Sequence, residues 1–197
     1  MKSIIAELRA AIFVTLMIAV VAGGFYPLAV FGLAQLLFPA QANGSLIVGP
    51  DGIIRGSRLI GQPFTGDKYF QSRPSDAGAN GMSYDPTNSG GSNLGPTSQK
   101  LRDTIAQNLA ACRRENGLAT NAPVPADAVT ASASGLDPHI SPANAALQAR
   151  RIARLRGLSL PQVQRLIRQH TDTPSPGFLG DPGVNVLELN LALDGIK

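Results

Sequence analysis

From Ala10 to Phe38 the chain runs AAIFVTLMIAVVAGGFYPLAVFGLAQLLF. This is roughly 29 residues without a charge, where a helix needs about 20 to cross a bilayer. At about 1.5 Å per residue such a helix measures about 43 Å, against about 30 Å of hydrocarbon. The excess predicts a tilt, a kink near Gly23-Gly24 and Pro27, or a run past the membrane surface. Lys2 and Arg9 precede the stretch, and no Lys or Arg follows it until Arg55. Basic residues are retained on the cytoplasmic side. The organisation expected is therefore a cytoplasmic end at 1–9, a transmembrane helix at 10–38 and an extracytoplasmic domain at 39–197. A cleaved signal peptide is the alternative, with Ala40-Gln41-Ala42 as an A-x-A site, but its apolar region would be about 7–15 residues, half of what is present.

Within the span, Ala19 and Gly23 form a small-xxx-small pair, the kind of surface that lets a second membrane helix approach closely. They are candidate partner contacts. The rest of the chain is long enough for one domain with a modest core. Aromatic residues make up only 5% of the chain, so that core is built from aliphatic side chains. The net charge of +4 is mild and singles out no anionic partner. Cys112 is the only cysteine, which excludes an internal disulfide. Its place on an apolar helical stripe predicts a buried thiol.

Two short strands, at 45–48 and 53–57, are expected around the turn Gly49-Pro50-Asp51-Gly52. From Arg73 to Thr97 the chain is almost wholly loop formers, and a loop of that length is functional or disordered. Arg73, Tyr84, Asn93 and Leu94 can make fixed contacts, which predicts an ordered surface loop. Thr97 or Ser98 caps a helix whose apolar face is Leu101, Ile105, Leu109 and Cys112, and Gly117 stops it. Ser141 with Pro142 opens a second helix that ends at Arg156-Gly157, with Ala145, Ala149, Ile152 and Ala153 inward. Ser159 opens a third, with Val163, Leu166, Ile167 and His170 on one side. Arg150, Arg151, Arg154, Arg156, Arg165 and Arg168 crowd these two helices, predicting a solvated face or a docking surface. At the end, Leu187, Leu189, Leu191 and Leu193 alternate with Glu188, Asn190 and Ala192, the pattern of a half-buried strand. Early strands, central helices and a closing strand make the domain α+β with a mixed or antiparallel sheet.

Reaction machinery is sparse. The chain has no P-loop, no G-x-G-x-x-G and no G-x-S-x-G. His139 and His170 lie far apart beside one Cys, which is no zinc pattern. Asp137-Pro138-His139 with Ser134 nearby leaves a hydrolytic site open as an alternative. The other reading has Asp137 and His139 hydrogen bonding to hold the turn before Ser141. The loop Ser89-Gly90-Gly91-Ser92-Asn93-Leu94-Gly95-Pro96 offers backbone donors to an anion, without a cationic side chain built in. A rigid turn or subunit contact suits it better.

Taken in order, several blocks carry a resemblance. They are Leu59-Ile60-Gly61-Gln62, Tyr69-Phe70, Arg73-Pro74-Ser75, Ser89 to Pro96, Ala126-Asp127, Ser132 to Ser141, Val184-Asn185-Val186-Leu187 and Leu189-Asn190. Together, over nearly the whole length, the chain resembles the C subunit of the Kdp-type potassium-transporting ATPases of bacteria. Asp76 departs from the small residue expected there. The resemblance implies a single-pass subunit of the inner (cell) membrane with no catalysis of its own. Its partners would be an A subunit that conducts potassium, a B subunit that hydrolyses ATP and a small F membrane peptide. It implies a role in assembly and in raising the ATP affinity of the B subunit, and a nucleotide contact for Gln62. No directly bound cofactor is expected: ATP belongs to the B subunit, and potassium is the transported ion. Arg73, Ser89, Gly90, Gly91, Ser92, Asn93, Asp137 and His139 join Ala19 and Gly23 as candidate partner contacts. The flanking charges place Gln62 outside, away from cytoplasmic ATP, so an effect on ATP affinity would have to travel through the span and the partners.

Overall fold

A computed structural model describes residues 2–78 and 83–196. The chain divides into two compact units, Met1–Leu46 and Ile47–Lys197. In the first, α1 (Lys2–Val20) passes into one π turn (Val21–Phe25) and then α2 (Tyr26–Leu37). Ile4–Leu37 is a helix of 34 residues, long and apolar enough to cross a membrane, and its most apolar window is unburied by the rest of the protein. At about 1.5 Å per residue it reaches about 51 Å, well beyond the hydrocarbon thickness. The π turn falls where the sequence predicts a kink. Pro27 has no N–H for the carbonyl four residues back, and the ladder slips to a longer bond, Tyr26 N–H donating to Val21 O. A Cβ built on Gly23 or Gly24 would meet no atom within 4 Å. A short α3 (Pro39–Ala42) follows, and Asn43 Nδ2 donates to Pro39 O at 2.7 Å and to Gln35 Oε1 at 3.1 Å.

The polar part of the chain begins with a two-stranded sheet, β1 (Leu46–Val48) and β2 (Ile54–Ser57). Its helices start and stop where their caps direct. The Ser98 side chain accepts from Leu101 N–H to open α4 (Gln99–Asn116), and Gly117 closes it at φ 64°. Ser141 opens α5 (Pro142–Arg156) in the same way, and Gly157 ends it at φ 67°. Ser159 forms a full capping box with Gln162 at the start of α6 (Leu160–Gln169). A three-stranded antiparallel sheet has β5 (Gly183–Asn185) between β3 (His139–Ile140) and β4 (Thr171–Asp172). The unit is thus α+β, with its strands split between two small sheets.

The closing segment corrects the sequence reading. Only Gly183–Asn185 is strand, and Val186–Asp194 is a helix, α7. Asn185 caps it, its Oδ1 accepting from Glu188 N–H at 3.1 Å. Apolar residues are so dense here that both periods fit. The buried set Val186, Leu187, Leu189, Asn190 and Leu193 is helical, and Leu, Ala and Glu favour helix over strand. The expected ordered loop at 73–97 has no regular structure but is pinned by hydrogen bonds described below; its residues 79–82 lie outside those described. Cys112 is half-buried rather than buried, and burial pushes its thiol pKa up. Arg151 is neither solvated nor free to dock. It is 4% exposed and donates to Asp67 O, to Tyr69 O at 3.1 Å and to Asn116 Oδ1 at 3.0 Å. Arg156 also turns inward, to Lys68 O at 2.7 Å and over the Tyr69 ring at 4.8 Å. Arg150, Arg154, Arg165 and Arg168 are exposed.

Phe70, Ile140, Ala145, Ala149, Ile152, Val163, Val184, Leu189 and Leu193 belong to one core cluster. Phe70 is fully buried there although its segment belongs to no sheet. Side-chain amides replace the missing strand partners. Phe70 N–H donates to Asn190 Oδ1 at 2.8 Å while Asn190 Nδ2 donates to Phe70 O at 2.9 Å. Gln71 N–H donates to Gln148 Oε1 at 2.8 Å, and Gln148 Nε2 donates to Gln71 O at 3.1 Å. Asn190→Ala leaves a buried N–H and C=O unpaired, so it should destabilise the domain by about 2–4 kcal/mol. Denaturant unfolding of the detergent-solubilised chain measures this. A loss below about 1 kcal/mol would show that the clamp contributes no more than an ordinary hydrogen bond.

Candidate functional site

The motifs singled out in the polar domain come together through backbone contacts. Ser75 Oγ donates to Gly135 O at 2.7 Å and accepts from Tyr84 N–H at 3.1 Å. The buried Tyr84 hydroxyl donates to Arg73 O at 2.7 Å, and burial pushes its pKa up to about 12. Gly90 N–H and Ser89 Oγ both donate to Ser134 O at 2.9 Å. A Cβ on Gly91 would sit 2.7 Å from Ala133 O, and one on Gly135, whose φ is +67°, 2.7 Å from Gly90 O. Small residues here allow main chain to lie directly on main chain. Ser92 and Asn93 are exposed, Asn93 in the left-handed region at φ 52°.

A run of charges continues from this loop cluster. Arg73 Nη1 is 3.2 Å from Asp137 Oδ2. Asp137 Oδ1 accepts from His139 N–H at 2.9 Å and lies 3.6 Å from His139 Nδ1. On the far side of the ring, His139 Nε2 is 2.9 Å from Asp172 Oδ2. Arg58 then joins Asp172, at 2.5 Å, to Glu188, at 2.9 Å. Arg73 Nε is buried without a hydrogen-bond partner among the described residues. The Asp137 carboxylate raises the His139 pKa above 6.5; burial opposes this and Asp172 adds to it. Burial alone would raise the Asp137 carboxyl, but the hydrogen bonds from His139 and the charge of Arg73 hold it below its usual value. Arg73, Asp137, His139 and Asp172 line an open cleft of about 550 Å³ that also includes Asp127 and Asp181.

This geometry is structural in kind. Both ring nitrogens of His139 face carboxylates, so neither is free to take a proton from Ser134. Ser134 Oγ instead accepts from Leu136 N–H at 3.1 Å. The hydrolytic alternative is set aside on that arrangement. The turn before Ser141 is held by Asp137, as the sequence suggests, and more strongly by Asp127. The Asp127 carboxylate accepts from Ser141 N–H at 2.7 Å, Ser141 Oγ at 2.9 Å and Asn144 Nδ2 at 3.1 Å.

The Gln62 side chain is engaged with β2: its Nε2 donates to Arg55 O at 3.0 Å, while its backbone carbonyl accepts from Ser72 Oγ at 3.0 Å. Ala19 and Gly23 belong to the apolar helix of the other unit. Sequence reasoning missed Arg58, Asp127, Asp172, Glu188, Asn190 and Gln148. A legible signal existed for some of them. Asn144, Gln148 and Arg151 recur at helical spacing on the buried face of α5, where polar side chains need partners.

Among the described residues, one helix long and apolar enough to cross a membrane precedes an α+β domain, the class of a single-span membrane protein with one attached domain. Residues 8–195 match the KdpC family, described as the c chain of the K+-transporting ATPase, and the chain belongs to that family. It is 53% identical to the potassium-transporting ATPase KdpC subunit of Koribacter versatilis over 97% of this chain and 95% of that one. The subunits of Mycobacterium tuberculosis (53%; 95% of this chain, 97% of that one) and Methylococcus capsulatus (51%; 96% and 97%) are similarly close.

The His139 contacts make stability depend on pH with a definite sign. Because the folded pKa is raised, their contribution is complete below 6.5, the ordinary value, and is lost as pH rises through the folded value. The difference in unfolding free energy between the wild type and His139→Gln should therefore shrink as pH is raised from 6 to 9. A difference constant across that range would assign the pH dependence to other groups.

Proposed function

We propose that this chain is the single-pass, non-catalytic subunit of a bacterial potassium-uptake ATPase, with its amino end in the cytoplasm and its α+β domain outside the inner membrane. The observation that carries the proposal is the match over residues 8–195, which takes in the apolar helix and the domain together. The topology rests on Lys2 and Arg9 ahead of the uncharged stretch 10–38 and the absence of basic residues from there to Arg55. The partners are the potassium-conducting A subunit, the ATP-hydrolysing B subunit and the small F peptide that the family resemblance implies. Ala19 and Gly23 supply the close-approach surface for a neighbouring membrane helix. The loop cluster of Arg73, Ser89, Gly90, Gly91, Ser92, Asn93, Asp137 and His139 supplies a stiff outer surface that covers the potassium entrance of the A subunit.

The effect on ATP is indirect. It is a coupling free energy carried through the helix and the partner subunits, of about 1–3 kcal/mol, or about 5–150-fold in affinity. Gln62 acts as a brace for β2, and a nucleotide contact by it is the second reading, supported by the family resemblance alone.

Purification of the tagged chain in mild detergent should bring down the other subunits with potassium-stimulated ATPase activity; a lone monomer would reject the reading. Gly23→Glu should lower the yield of complex more than it lowers membrane insertion, and normal yield would remove the helix contact. Labelled nucleotide titrated into the purified chain alone should not bind. Saturable binding abolished by Gln62→Ala would replace the indirect effect with a direct one.

A further inference from the structure

The arginines that crowd α5 and α6 are unevenly used by the fold. Between Asp137 and Asp172 the chain carries six arginines and no Asp or Glu, while the rest of it beyond Phe38 is net acidic. Arg151 and Arg156 turn inward to backbone carbonyls. Arg150, Arg154, Arg165 and Arg168 are exposed, and their guanidinium groups form no ion pair or hydrogen bond among the described residues. Arg55, Arg58 and Arg73, by contrast, each face a carboxylate. Arg150 and Arg154 stand one turn apart on α5, and Arg165 and Arg168 one turn apart on α6. Cβ atoms at that spacing are about 5–6 Å apart. Each helix therefore holds out two guanidinium groups that can close on one phosphate.

We infer that the two arginine pairs of α5 and α6 clasp the phosphate groups of anionic phospholipid in the bilayer that the apolar helix crosses. The planar fork of a guanidinium matches a phosphate with two parallel hydrogen bonds, and it sheds its water more readily than an ammonium. What makes lipid the occupant is the tether. Ile4–Leu37 is long and apolar enough to cross a membrane, and residues 38–45 alone lead from it to β1, about 28 Å even at full extension. A domain held on so short a lead meets headgroups at high effective concentration. Headgroups line both faces of a bilayer, so either side offers them, with or without the other subunits. Exposed Leu155 beside Arg154 adds an apolar side chain among cations, as interfacial surfaces do. Each cation near an anionic membrane surface strengthens binding about fivefold. Four are enough to orient a domain that is already held there.

A photoreactive benzoylphenylalanine at exposed Gln164, which adjoins Arg165 and lies one turn before Arg168, tests this. The full chain carrying it is reconstituted into phosphatidylcholine bilayers with and without phosphatidylglycerol. Illumination should give lipid adducts, identified by mass, about tenfold more abundant when phosphatidylglycerol is present. Arg150→Gln, Arg154→Gln, Arg165→Gln and Arg168→Gln together should abolish that difference and leave the Tm unchanged, since none of the four has a partner to lose. The two bilayers compared with the four arginines in place decide the matter even where the quadruple variant does not fold. Equal adducts in both bilayers, no adducts, or a difference that survives the quadruple substitution would each overturn the lipid contact. Suppression by millimolar inorganic phosphate would assign the arginine pairs to free phosphate instead. In membranes that hold the other subunits, adducts to protein in place of lipid, a second copy of this chain included, would assign the face to an acidic partner and overturn it as well.

Discussion

The fold of the polar domain depends on holding one irregular segment, Asp67 to Gln71, so that its Phe70 stays buried in the core. Burying Phe70 gains about 1.5–3 kcal/mol, but it takes the peptide groups on either side out of water as well. Unpaired, each of those would cost about 1–3 kcal/mol and cancel the gain. Asn190 from α7 and Gln148 from α5 solve this by presenting a primary amide, which has the same donor and acceptor arrangement as a peptide. Arg151 and Arg156 finish the task by taking the carbonyls of Asp67, Lys68 and Tyr69. Helices α5 and α7 are thus fastened to one and the same segment, and the small sheets do not have to unite them.

The run of charges from Arg73 to Glu188 does for the surface what the amides do for the interior. Arg58, Arg73, Asp137 with His139, Asp172 and Glu188 come from five separate parts of the chain, and their pairing fixes β3, β4 and the start of α7 to the loops before them. These groups are partly exposed, so solvent screens each pair, and their effect is to set position more than to add stability. With both imidazole nitrogens engaged and both neighbouring carboxylates shared, the cluster has no uncommitted base. Rigidity at a surface of loops is the property it supplies, and rigid loops lower the ordering cost of meeting a partner.

Local chemistry was legible in the sequence and distant chemistry was not. Ser98, Ser141 and Ser159 bond to amides three residues on, and Gly117 and Gly157 adopt a conformation their neighbours cannot, so helix limits could be read directly. Ala145, Ala149, Ile152 and Ala153 were visible as a buried face by their spacing. The segment 186–194 misled because a run of leucines satisfies a period of two and one of 3.6 together. Asn185, a good cap ahead of Glu188, was the tie-breaker. Partners such as Arg58 with Asp172, 114 residues apart, leave no local trace, and Arg151 looked like one more surface cation because its acceptors are backbone carbonyls. Of the site, the loop motifs were found, while the carboxylates that complete it were not.

The apolar helix has its own internal logic. In hydrocarbon every backbone donor and acceptor must be satisfied within the helix or by a close neighbour, and Pro27 removes one donor from the middle of the stretch. Widening to a π turn shifts the bonding by one residue, as the Tyr26 to Val21 bond records, so later donors can serve earlier carbonyls. The same turn holds Gly23 and Gly24, where added side-chain carbon would meet nothing in this chain. A helix serving only as an anchor gains nothing from irregularity at that depth, because Leu or Ala would span lipid with a regular ladder. Glycines beside a widened turn bare a stretch of backbone, and in a bilayer, where lipid tails are as apolar as leucine, such a surface would be favoured only by close packing against another helix, the contact proposed above.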